Sequence, residues 1–109
     1  MDELKPRIRM PQHVAAGEVF QVRTILPHPM ETGYRRTRMG EKIPRHIVVA
    51  FTVHYNDELV FAADIGPGIS SNPYFEFHVR ASRSGELVFR WEDDRGQVWN
   101  ISQKLIVNP

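Results

Sequence analysis

Apolar and polar residues alternate along most of the chain, which is the pattern of half-buried β-strands. The clearest stripe places Ile47, Val49, Phe51, Val53 and Tyr55 on one face. Seven segments share this period of two, and they span residues 8–10, 20–26, 47–55, 59–65, 75–81, 87–91 and 99–107. No segment holds apolar residues at helical spacing over three turns, so the pattern predicts an all-β protein.

Turn-forming residues separate the predicted strands. Asn56 and Asp57 join two strands by a two-residue loop, and both tolerate the positive φ that a type I′ hairpin requires. Gly85 and Gly96 end two other turns, where a left-handed residue is expected after a type I turn. Residues 66–73 are rich in Gly, Pro and Ser, and they predict a crossover between two sheets.

Seven short strands joined by hairpins and two long connections predict an immunoglobulin-like β-sandwich of antiparallel strands. A chain of 109 residues favours a single domain, over residues 1–109. A five-stranded barrel is the alternative fold.

Composition and charge exclude several functions. The 14 basic and 13 acidic residues leave a net charge of +1, whereas nucleic-acid-binding proteins usually carry a clear basic excess. The chain has no cysteine, and therefore no disulfide, thiolate nucleophile or cysteine metal site. The N-terminus has no apolar run of the kind that a signal peptide requires. No segment approaches the roughly 20 apolar residues that are needed to cross a bilayer.

The residues that carry catalytic or metal chemistry show no recognisable spacing. His13, His28, His46, His54 and His78 form no common metal motif. His46 and His54 would lie roughly 27 Å apart on one strand, at about 3.4 Å per residue. We therefore interpret the histidines as solvent-facing, and the acidic run at 92–94 as solvated turn residues. No metal, cofactor or catalytic residue is predicted, and a sandwich of this kind commonly serves as a binding or structural partner.

The strongest local charge lies in the long connection between the second and third predicted strands. Its basic residues are Arg35, Arg36, Arg38, Lys42 and Arg45. The segment could be a solvated loop, a surface for an acidic partner or a site for a small oxyanion. Nucleic-acid binding is a weaker interpretation, because Tyr34 is the only aromatic residue available for stacking.

The motif HPMETG at residues 28–33, followed by IPR at 43–45, resembles the Z subunit of the SoxYZ sulfur-oxidation carrier. Further similar pieces extend along nearly the whole chain, and they are Gly17-Glu18-Val19, Tyr55-Asn56, Asn72-Pro73-Tyr74, and Trp91 with Asp93-Asp94. The pairing of HPMETG with IPR is the specific part of the resemblance.

The resemblance implies an immunoglobulin-like sandwich that forms a heterodimer with a Y subunit. The Y subunit carries a cysteine on its C-terminal arm, which holds sulfur intermediates during thiosulfate oxidation, and the Z subunit has no catalytic residue. It also implies a periplasmic protein that is exported with its partner and lacks its own signal. No cofactor and no nucleic-acid or membrane partner is predicted. The alternative function is a stand-alone β-sandwich domain that binds a small ligand or oxyanion.

Two sets of residues are predicted to contact partners. Strict alternation turns several apolar residues outward, where a lone sandwich would be polar, and a Y-type subunit could cover them. These residues are Val48, Ala50, Val60, Ala62 and Val88. Met30, Tyr34 and Arg45 are predicted to make transient contacts with other sulfur-oxidation enzymes, since such side chains are favoured at adaptable interfaces.

Overall fold

The computed structural model describes residues 5–66, 69 and 72–109, which form eight strands. In chain order the strands are β1 (Arg7–Arg9), β2 (His13–Ala15), β3 (Val19–Ile25), β4 (Val48–Tyr55), β5 (Glu58–Asp64), β6 (Tyr74–Arg80), β7 (Gly85–Asp93) and β8 (Val98–Asn108). In these ranges no helix is long and apolar enough to cross a membrane.

The strands form two sheets, in the orders β1-β3-β6 and β2-β8-β7-β4-β5. All pairs are antiparallel except β2 with β8, which are parallel. The predicted all-β sandwich is therefore confirmed. Strand β2 was not predicted, because three residues with a single buried side chain, Val14, are too short to show a period.

Aromatic side chains fill the space between the sheets. The ring of Phe51 on β4 stacks on Trp91 of β7 at 4.7 Å and on Phe75 of β6 at 5.1 Å between centroids. Phe61 of β5 stacks on Phe77 of β6 at 4.4 Å. Each pair adds roughly 0.5–1.5 kcal/mol to the free energy gained by burying its area. The contacts of Phe51 with Phe75 and of Phe61 with Phe77 join the two sheets, through residues that alternation had placed inward.

The predicted turns are confirmed with one exception. Asn56 and Asp57 have φ values of 48° and 68°, as a type I′ hairpin requires, and Gly96 has φ of 81°. The prediction for Gly85 is wrong, because this residue begins β7 without a left-handed φ. Glycine is needed there for space, since a Cβ would collide with the Asn56 side chain. The 66–73 connection does cross from one sheet to the other, although residues 67, 68, 70 and 71 lie outside the described part of the chain.

Two β-bulges overturn the outward placement of Val48 and Val60. The register of β4 against β7 shifts between Val48 and Ala50, so Val48 turns inward and is 0% exposed. The register of β4 against β5 shifts between Val53 and His54, and Val60 packs against the core. A bulge inserts one residue into a strand and so reverses the faces that strict alternation predicts.

Candidate functional site

The connection between β3 and β4 brings HPMETG and IPR together at one end of the sandwich. The backbones of Glu31 and His46 exchange two hydrogen bonds, with N–O distances of 2.8 and 2.7 Å. Gly33 has φ of 91°, and a Cβ there would lie 3.2 Å from Arg45 Cβ. Glycine is therefore required at the end of HPMETG both by its backbone angle and by the close approach of Arg45.

His28 anchors the start of this connection. Its amide donates to Asn72 Oδ1 at 2.9 Å, and its carbonyl accepts from the Asn72 amide at 2.7 Å. Its ring nitrogen Nδ1 accepts a hydrogen bond from the Met30 amide at 3.0 Å. The side chain is 1% exposed, so the interpretation of His28 as solvent-facing is wrong. The ring fixes the left-handed turn at Met30, whose φ is 52°.

His46 and Asp93 complete a cluster with His28. His46 Nε2 lies 2.7 Å from Asp93 Oδ2, and the rings of the two histidines are 4.7 Å apart. Asp93 Oδ1 accepts from the amides of Arg95 at 3.0 Å and Gln97 at 2.7 Å. Asp93 was predicted to be a solvated turn residue, but its side chain is fully buried. The cluster ties the β3–β4 connection to the turn between β7 and β8.

The cluster contains the residue types that bind metals, but the lone pairs of these residues are not free to bind one. One ligand atom from each of His28, His46 and Asp93 lies within 4.8 Å of the others. Because His28 accepts at Nδ1, its neutral ring carries the proton on Nε2, which has no hydrogen-bond partner among the described residues. His46 Nε2 and the Asp93 oxygens are engaged with each other and with backbone amides. A metal would have to displace these bonds, so the donor set as arranged does not fit one.

The charge states follow from these contacts. Burial lowers the pKa of His28 below its ordinary value, and repulsion by nearby His46 lowers it further, so the ring is neutral. Burial by itself would raise the pKa of Asp93, but hydrogen bonds from His46 and from the Gln97 and Arg95 amides outweigh it and lower the pKa. Asp93 is therefore a buried carboxylate that accepts three hydrogen bonds, which is a structural role.

Beyond this cluster the connection forms an ordered tip over residues 34–42. The Thr37 amide donates to the Glu41 carbonyl at 2.7 Å, and the Gly40 amide donates to the Thr37 carbonyl at 3.0 Å. Tyr34 and Met39 project from this tip and are 84% and 86% exposed. The tip therefore presents two large side chains to solvent on a hydrogen-bonded backbone.

The predicted enzyme-contact residues separate in the structure. Met30 is 5% exposed, and its sulfur accepts a hydrogen bond from the Val48 amide at 3.3 Å. The prediction that Met30 offers an adaptable surface is therefore wrong, because its side chain fills the core. Tyr34 is exposed, and Arg45 is exposed with its Nε 3.1 Å from Asp94 Oδ2. Tyr34 and Arg45 stay predictions as contact residues.

Three of the predicted outward apolar residues do lie on the outer face of the larger sheet. Ala62 pairs with Thr52, and Val88 pairs with His54, which is flanked on its other side by the exposed Leu59. Ala50 lies two residues before Thr52 on β4. We call Ala50, Leu59, Ala62 and Val88 the apolar patch. It spans β5, β4 and β7, and contact with a partner there stays a prediction.

The fold is an immunoglobulin-like β-sandwich, and the β3–β4 connection caps one end of it. The polar side chains clustered at that end form hydrogen bonds with the backbone of the chain itself. The chain matches the family model for the sulphur oxidation protein SoxZ over residues 8–104. The protein therefore belongs to the SoxZ family, and the resemblance carried by HPMETG and IPR is confirmed. No curated protein matches the chain.

Solved structures share the fold at low sequence identity. A superoxide reductase (neelaredoxin) from Ignicoccus hospitalis is 22% identical, with a TM-score of 0.73 over 94% of this chain and 80% of the other. The sulfur carrier protein SoxY from Chlorobium limicola f thiosulfatophilum is 13% identical, with a TM-score of 0.67 over 95% and 79% of the two chains. A putative superoxide reductase from Thermotoga maritima is 19% identical, with a TM-score of 0.71 over 95% and 86%. At these identities the likeness shows a common fold alone.

Proposed function

We propose that the protein is the non-catalytic subunit of a SoxYZ-type sulfur carrier complex. It pairs with a SoxY-type subunit, whose C-terminal-arm cysteine carries sulfur intermediates during thiosulfate oxidation. The observation that carries this proposal is the SoxZ family match over residues 8–104 in a chain that has no cysteine. Covalent sulfur carriage of this kind needs a thiolate, so the carrier group must belong to the partner.

The described polar clusters support a scaffold role. Asp93 is buried and His46 is half-buried against it, and the Asp93 oxygens are committed to His46 and to two backbone amides. A general base must reach the proton it abstracts in a bound substrate, and an engaged, buried carboxylate does not offer that access. The chain therefore contributes a rigid surface rather than a reacting group.

The apolar patch is the surface that we assign to the SoxY-type subunit. Leu59 and Ala62 are exposed, and Ala50 and Val88 are half-buried on the same outer face of the larger sheet. Removing the apolar area of this face from water contributes roughly 25 cal/mol of favourable free energy per Å². Two sandwiches of similar fold can stack sheet on sheet about 10 Å apart, which is the kind of pairing that we propose for the patch.

The tip and the cellular location complete the proposal. Tyr34 on the tip and Arg45 just after it contact the other sulfur-oxidation enzymes transiently, since both side chains are exposed. Exposed charge of this kind mainly raises the rate of encounter with acidic surfaces.

The complex works in the periplasm, and this subunit is exported together with its partner.

Co-purification with the SoxY-type subunit of the same organism tests the pairing. Native mass spectrometry is expected to show a complex that Val88→Arg and Ala62→Arg each disrupt, because a charge on the patch is desolvated by the partner. His78→Arg is the matched control, since it places the same charge on the exposed outer face of the other sheet. A chain that stays alone in the presence of the partner contradicts the proposal.

The location of sulfur is a separate test. After incubation with thiosulfate and the oxidation enzymes, intact-mass spectrometry is expected to find added sulfur on the SoxY-type subunit and an unchanged mass for this chain. An adduct on this chain would refute the non-catalytic role. The alternative function, a stand-alone oxyanion-binding domain, predicts a monomer that binds sulfate or thiosulfate and ignores the SoxY-type subunit.

A further inference from the structure

Three arginines outside the arginine-rich connection lie together on the outer face of the smaller sheet. Arg7 and Arg9 lie two residues apart on β1 and therefore on one face, and Arg9 is directly opposite Arg23 on β3. They surround a surface cavity of about 290 Å³. Its lining residues are Arg7, Arg9, Arg23, Thr24, Ile25 and Tyr74.

The charges around this cavity are not balanced. Arg9 and Arg23 form a like-charged cross-strand pair, which destabilises a sheet unless an anion lies between the two. Glu76, across from Arg23 on β6, is 3.5 Å from Arg23 Nε. Arg7 and Arg9 make no ion pair within residues 5–66, 69 and 72–109. Among the described residues, three guanidinium groups against one carboxylate leave two positive charges in excess.

The donors that remain available suit one class of ligand. The described contacts of Arg23 run through Nε, to Glu76 and Gln21, so its two terminal nitrogens are free to bind. Guanidinium groups bind oxyanions through two parallel hydrogen bonds. Ile25 and Tyr74 line the same cavity beside the arginines. We propose that this cavity binds a small tetrahedral dianion of the class of sulfate or phosphate.

The dimensions favour a small anion over an acidic peptide. The cavity covers one row of the sheet, Arg7–Ile25–Tyr74, and the Arg9–Arg23 pair of the next row. The edge strand β1 has only three residues, which is too short to pair with an added strand of ordinary length. The volume lies at the lower limit of small-ligand sites. The site is independent of the proposed pairing with a SoxY-type subunit.

An NMR titration of the ¹⁵N-labelled chain tests this site. Sodium sulfate and sodium phosphate are added in turn at neutral pH, with sodium chloride adjusted to keep the ionic strength constant. Saturating shifts are expected at the amides of Arg9, Arg23 and Tyr74. The double variant Arg7→Gln/Arg9→Gln is expected to weaken binding by about two- to fivefold for each arginine removed.

A matched double variant separates a site from general electrostatics. Arg83→Gln/Arg90→Gln removes the same charge from a loop and from the outer face of the larger sheet, and it is expected to keep the wild-type affinity. Equal weakening in both double variants would show that only net charge matters and would overturn the proposal. Shifts that never saturate, or tighter binding of an acetylated Glu-Gly-Glu peptide at the same amides, would overturn it as well.

Discussion

Replacing Asp93 with asparagine tests whether the buried cluster holds the HPMETG connection in place. Asparagine keeps the volume, and its Oδ1 can still accept from the amides of Arg95 and Gln97, which lie 3.0 and 2.7 Å from Asp93 Oδ1. Its amide group, however, replaces the Oδ2 that lies 2.7 Å from His46 Nε2. The charge-assisted hydrogen bond is therefore replaced by a weaker neutral one, in which His46 Nε2 accepts from the asparagine amide, and this costs about 1–2 kcal/mol of unfolding free energy.

The alanine variant sets the upper limit of this effect. Asp93→Ala removes all three hydrogen bonds and leaves two amides and His46 Nε2 without their acceptor, so we expect a loss of about 3–5 kcal/mol. For a domain of this size, 1 kcal/mol shifts the melting temperature by about 4–8 °C. The asparagine variant should therefore melt roughly 10 °C below the wild type, and the alanine variant lower still.

Urea unfolding followed by tryptophan fluorescence measures these differences, because Trp91 is buried in the core. Asp64→Asn is the matched control, since Asp64 is exposed at the end of β5 and its side chain makes no hydrogen bond in the described ranges. An unfolding free energy of Asp93→Asn within about 0.5 kcal/mol of the wild type would refute the assignment, because that is the ordinary range of surface substitutions.

Two further predictions concern the same end of the sandwich. His28 has a pKa below its ordinary value, so the unfolded chain binds more protons than the folded one. The free energy of unfolding should therefore fall as the pH drops below about 6.5. The depressed pKa of Asp93 adds a further loss of stability at lower pH, as that carboxylate becomes protonated. Urea midpoints measured from neutral to acidic pH check this, and a midpoint that rises on acidification would contradict it. Gly33→Ala should cost about 1–2 kcal/mol, because its φ of 91° is unfavourable for a residue with a Cβ and Arg45 Cβ lies 3.2 Å from the added atom. Thermal melting measures this loss, and Gly40→Ala is the control, since Gly40 has φ of 82° but nothing within 4 Å of a Cβ. An equal loss of stability in both variants would show that the contact with Arg45 contributes nothing.

The strands could be predicted because their signal is local. Phe51 and Val53 show their inward direction through the period of two, and Asn56 and Asp57 show the hairpin through their tolerance of positive φ. The bulges near Val48 and Val60 were missed because a bulge depends on how the neighbouring strand pairs, and that pairing has no local sequence signal.

The histidine cluster could not be found from spacing. His46 and Asp93 are 47 residues apart, and they meet only because β4 and β7 are neighbours in the larger sheet. Metal and active-site motifs detect residues that are close along the chain, so the search for them passed over this contact. The buried positions of His28 and Met30 follow from the same folded connection, which a list of polar residues does not reveal.

The sequence by itself determined the all-β class, the hairpin, the SoxZ-family resemblance through HPMETG and IPR, and the lack of a cysteine that could carry sulfur. Each of these depends on residue identity or on neighbours a few positions apart. Only the tertiary structure decided that His28, His46 and Asp93 meet in the interior, that Met30 and Val48 are buried, and that Arg7, Arg9 and Arg23 surround one cavity. The physical reason is that strand register and sheet order bring distant residues together, and both are properties of the paired strands rather than of any single segment.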